Sequence, residues 1–198
     1  MRGEKVARTL WTGILGAVLA ATAGLTWLVA LFAASPGLFG GAPEPMGPGY
    51  GLLMHLAAPL LLGLAAVPIS RGLGAGWRRT GGTAFGVFAI GYASSTLALD
   101  GSELEAGVGT FLFVAVVTPA LAVLAASAGR GVDSAALLGG VVLAGAVLAL
   151  LVYACSQSSP LLAALFGVLA WILLPVVAGT AGARDGGDGR VRVAGGER

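Results

Sequence analysis

Charge is scarce in this sequence, and histidine, lysine and cysteine occur once each. Charged residues make up 10% of the 198 positions, against about 25% in soluble domains. So few charges cannot cover a folded surface against water. One cysteine, Cys155, excludes an intrachain disulfide and any cysteine-based metal framework. One histidine, His55, excludes bis-histidine haem ligation and a histidine-rich metal site. No P-loop, HExxH, GxSxG or CxxC occurs, nor a GxGxxG in a βαβ setting. No cofactor, metal or catalytic residue is therefore expected. A basic groove interleaved with aromatics is also missing, which removes nucleic acid as a partner.

What the chain has instead is apolar length. It is 57% hydrophobic with mean hydropathy +0.94, and its apolar runs reach membrane-spanning length. Six are expected as transmembrane helices: about 10–34, 51–69, 83–99, 106–128, 135–155 and 161–180. Together they predict an all-α, polytopic membrane protein, a bundle of six transmembrane helices, preceded by a cytoplasmic segment 1–9. Residues 181–198, rich in glycine and charge, are expected to form a disordered cytoplasmic tail.

The first run follows a basic start (Arg2, Lys5, Arg8) and contains Ala21-Thr22-Ala23, which has the look of a signal-peptidase site. The run continues unbroken to Ala34, about 37 Å of helix at ~1.5 Å per residue, so an uncleaved span is expected. Gly16, Ala20 and Gly24 recur every fourth residue, as do Gly13, Ala17 and Ala21. Such stripes let helices approach closely. Ser35–Gly49, with Pro36, Pro43, Pro45 and Pro48, reads as a loop. Ser102 and Glu105 have capping-box spacing, and Asp133 or Ser134 is a plausible N-cap. Ser159 is expected to cap the sixth helix, with Pro160 at its first position.

Orientation follows from the basic residues. Arg2, Lys5 and Arg8 precede span one; Arg71, Arg78 and Arg79 lie between spans two and three. Arg130 lies between spans four and five, and Arg184, Arg190, Arg192 and Arg198 follow span six. A six-span reading puts all eleven on one face, which the positive-inside rule makes cytoplasmic, with both termini inside. Span three is the least apolar, and that segregation requires it. Trp11 and Trp77 then fall near the inner interface, Tyr50 and Tyr153 near the outer one, and Trp171 falls mid-span. Arginine in place of lysine, with abundant Ala and Gly, is a bias of GC-rich bacterial genomes. The expected location is a bacterial plasma membrane.

The polar residues gather in the outer half. His55 sits one helical turn before Pro59, whose missing N–H frees the His55 carbonyl. With Tyr92, Ser94, Ser95 and Asp100 it outlines a candidate outward-facing pocket for a proton, a cation or a polar headgroup. The plainer alternative is a histidine hydrogen-bonded to Ser94, Ser95 or water in a bent helix. Asp100, Glu103 and Glu105 read as a solvated loop and helix cap. Arg71, Arg78 and Arg79, with Trp77, are candidate contacts for anionic lipid headgroups, although their topogenic role already accounts for them. Pro119 and Pro175 would free the carbonyls of Ala115 and Trp171. Spans two, four and six each pair a proline with an arginine at the inner end, the outline of a two-helix unit used three times.

The function expected first is non-catalytic: a small membrane subunit or envelope factor. Its partners would be the lipid bilayer and another membrane protein or a second copy of itself. The alternative is a small-solute or cation/proton transporter or channel working through His55. A membrane enzyme ranks last, because His55 lacks a second catalytic group.

Overall fold

The computed structural model describes residues 2–34, 56–100, 104–127, 134–156 and 159–194. Among them every regular element is a helix: α1 Arg2–Ala34, α2 Ala58–Gly72, α3 Trp77–Asp100, α4 Leu104–Ser127, α5 Ser134–Ser156 and α6 Pro160–Ala194. Their number and order match the six apolar runs. The expectations for Ser35–Gly49, Ser102, Arg130 and Asp133 concern positions outside the described residues.

Boundaries differ from expectation at several ends: α2 runs on to Gly72 with Pro68 inside it, α4 starts at Leu104, and α1, α3 and α6 shift as well. The helix α1 starts at Arg2, so the basic segment is part of the first helix. There Thr9 and Thr12 hydroxyls donate to the carbonyls of Lys5 and Thr9. The helix α3 starts at Trp77, six residues before the expected Thr83, so Arg78 and Arg79 lie in its first turn rather than in a loop. Arginine is a good helix former, and the chain reverses completely within Leu73–Gly76. Lastly, α6 runs past Thr180 to Ala194, through much of the segment expected to be disordered. At the other end of α6, Pro160 does occupy the first position, and the Ser159 carbonyl accepts from the Ala163 N–H at 3.2 Å.

Glycines report how the helices meet. A β-carbon on Gly72 of α2 would strike Thr12 of α1, and one on Gly16 would meet Ile69 Cδ1 at 2.8 Å. The pairs 12 with 72 and 16 with 69 make α1 and α2 antiparallel. Gly179 faces Thr9, and Gly13 faces the Trp171 and Ile172 carbonyls at 3.5 and 3.4 Å, so α6 is antiparallel to α1 as well. Across the α2–α3 seam Gly63 faces the Ala84 carbonyl and Gly91 faces Pro59, again antiparallel. With three residues between the end of α3 and the start of α4, α4 runs in the direction of α2 and α6. Lys5, Arg8, Arg71, Arg78 and Arg79 therefore share one end of the bundle.

The interior is built from small residues. Alanine is the commonest buried apolar residue, with Ala65, Ala66, Ala122, Ala126 and Ala170 completely enclosed; larger plugs are Ile69, Leu174 and Trp171. Leucine is mostly outside, for example Leu15, Leu25, Leu60, Leu143, Leu150 and Leu165. By length and apolarity one described helix can cross a membrane, Gly3–Trp27 within α1. The apolar parts of α2, α4, α5 and α6 that are fully described, Ala58–Gly72, Ala115–Ser127, Gly139–Cys155 and Leu165–Thr180, are shorter.

Candidate functional site

The best-built polar feature is the α2–α3 turn. Here α2 ends in a paired backbone closure: the Ala75 N–H donates to the Ser70 carbonyl at 2.9 Å, and the Gly74 N–H to the Arg71 carbonyl at 3.0 Å. This is the double bond of a helix C-terminus that ends on a left-handed residue. That residue is Gly74, at φ 82°, where a side chain would clash with its own backbone.

Arg71 locks the same turn through its side chain. Its Nη1 donates to the Ala75 carbonyl at 2.9 Å, and its guanidinium carbon lies 4.5 Å from the centroid of the Trp77 ring. The charge sits at the C-terminal end of α2, where the helix dipole favours a cation. Trp77 is itself 72% exposed, so one ring face holds Arg71 and the rest is offered outward. Arg78 and Arg79 are exposed in the next positions. Arg71 is thus committed to the turn, while Arg78 and Arg79 stand exposed beside it. Beneath the turn, Ser70 and Thr80 are fully buried, and neither hydroxyl has a protein partner.

The proposed outer pocket is only partly covered. His55 and the side chain of Asp100 lie outside the described residues. Tyr92 projects outward, 43% exposed, with its ring stacked on Phe88 at 6.2 Å. Ser94 and Ser95 are buried. The Ser95 and Thr96 hydroxyls both donate to the Tyr92 carbonyl, at 3.0 and 2.9 Å. Pro59 stands in the first turn of α2, where a missing N–H costs nothing.

Two further groups escaped the sequence reading. Trp171 is 1% exposed, and its indole N–H has no protein partner; Thr118 is fully buried with its hydroxyl likewise unpaired. Only Trp171's mid-span position drew notice from sequence. Among the described residues no three His, Cys, Asp or Glu side chains are placed to hold a metal ion. No protein-family model, curated protein or solved structure matches this chain.

Proposed function

We propose that this chain is a six-span protein of the bacterial plasma membrane, acting as a non-catalytic membrane subunit, with the Arg71–Arg79 end in the cytoplasm. The observation that carries the reading is the inverted packing. Thirteen described leucines stand at least 37% exposed around the bundle, while alanine and glycine fill its seams. In water each such leucine forgoes on the order of 1 kcal/mol of burial. Thirteen together rival the net stability of a domain, about 5–15 kcal/mol. In lipid the penalty vanishes, and small residues at the seams are what bilayer helices use to pack closely. The clustering of Lys5, Arg8, Arg71, Arg78 and Arg79 at one end agrees with the positive-inside rule. Arg78 and Arg79, beside the exposed Trp77, are then disposed to contact anionic headgroups at the inner interface.

The test is a labelling scan in a Cys155→Ala background with a membrane-impermeant thiol reagent on right-side-out cells. Cysteines placed at Ser158 or Gly101 should label from outside and one at Arg78 only after lysis. External labelling at Arg78, or release of the chain by alkaline carbonate, would sink the topology. Crosslinking in native membranes should recover a partner at fixed stoichiometry. If His55→Ala instead abolishes solute or proton flux in proteoliposomes, the transporter reading replaces this one.

A further inference from the structure

We propose that the seam between α4 and α6 contains a binding site for one buried water molecule, formed by the Thr118 hydroxyl, the Trp171 indole N–H and the Ala115 carbonyl. The inference stands apart from the function proposed above, since it uses only the interior of the bundle.

Two unpaired side chains and one carbonyl beside a proline belong to this seam. The Thr118 Oγ1 and Trp171 Nε1 atoms are enclosed and lack protein partners. Thr118 shares this with Thr80, whereas Thr9, Thr22, Thr26, Thr83 and Thr96 each donate to the carbonyl four residues back. The third group is covalently dictated: Pro119 has no N–H, so the Ala115 carbonyl loses its normal helical donor.

Register brings them to one place. A β-carbon on Gly167 would lie 3.2 Å from the Ala115 side chain, so those two residues face each other across parallel helices. Thr118 lies three residues beyond Ala115 and Trp171 four beyond Gly167, which is ~4.5 and ~6 Å along the two axes. Around those axes, Thr118 stops about 60° short of the contact line and Trp171 goes about 40° past it. In two parallel helices that face each other, these opposite offsets put both side chains on the same flank of the seam. The Ala115 carbonyl points along α4 toward this level.

The chemistry fits one neutral molecule. Water accepts from the indole N–H, donates to the Ala115 carbonyl, and either donates to or accepts from Thr118. Three partners is the usual number for a buried water. None of these three groups is charged, so they select a neutral guest over an ion.

The test uses the full chain in lipid bicelles with ¹⁵N-labelled tryptophan. The Trp171 indole resonance is identified by its loss in Trp171→Phe. The proposal expects a direct magnetisation-transfer peak between that enclosed N–H and water. The peak should persist in Thr118→Ser and fall by at least half in Thr118→Val. Absence of the peak in the unmodified protein overturns the site, and so does a peak that Thr118→Val leaves unchanged. Unfolding in SDS gives a second reading on Thr118→Val alone. A lowered midpoint supports the bridge, whereas a raised one means the hydroxyl was dry and the site is refuted.

Discussion

The guanidinium of Arg71 covers the ring of Trp77 at 4.5 Å while its Nη1 closes the intervening turn on Ala75. One side chain thus ties the end of α2 to the start of α3. Removing both partners separates the two contributions. In a double-mutant cycle of Arg71→Ala and Trp77→Ala, followed by reversible unfolding, the coupling should be about 0.5–1 kcal/mol, the size of an exposed cation–π contact. Arg71→Ala alone should cost more, about 1.5–3 kcal/mol, because the charge-assisted hydrogen bond goes too. A coupling of zero would mean that the stacking contributes nothing.

Gly74 holds the left-handed position at φ 82°. Gly74→Ala should therefore destabilise by about 1–2 kcal/mol. Gly76→Ala, two residues on, meets nothing within 4 Å and should be close to neutral. Equal losses at the two sites would refute the turn as described.

Glycines on α2 and α3 should respond with opposite signs. A β-carbon on Gly63 would sit 2.9 Å from the Ala84 carbonyl oxygen, and backbone cannot swing aside. Gly63→Ala should cost about 1–3 kcal/mol by overpacking. Gly81, Gly82 and Gly86 have open space where a β-carbon would go. Alanine there should raise stability by about 0.5–1 kcal/mol each through helix propensity. Denaturation midpoints of the four single variants decide the matter.

Ser70 and Thr80 provide the contrast to Thr118. Their hydroxyls are buried without partners, yet the neighbouring carbonyls are occupied: Ser70 O by Ala75 and Gly76 O by Thr80 itself. No proline frees an acceptor at that seam. Ser70→Ala and Thr80→Val should each be neutral or stabilising by up to about 1 kcal/mol, since an apolar isostere removes a desolvated polar group. A loss above that in either variant would reveal a hydrogen bond between them.

How far this was legible in the sequence differs from element to element. Pro160 after Ser159 announced the start of α6, because proline fits a helix only in its first turn. The limits of α5 were readable within a residue, from polar residues on both sides of a wholly apolar run. The start of α3 at Trp77 is not legible, because the charge of Trp77-Arg-Arg reads as loop although charge at a helix end is compatible with helix. The Arg71–Trp77 contact depends on the sharp reversal at Gly74, and six residues of separation give no pairing signal of their own. Within the candidate pocket, residues 92 and 94 are about 200° apart around the helix, so their spacing alone does not bring them together. His55, its central member, lies outside the described residues.

The first helix, α1, is seated between α2 and α6 through Gly72 against Thr12 and Gly179 against Thr9. The flank of α1 that carries Thr9 is therefore filled only once α6 has been made. Until translation reaches Gly179 that flank lacks its α6 neighbour, and assembly must keep it shielded while the intervening helices are synthesised.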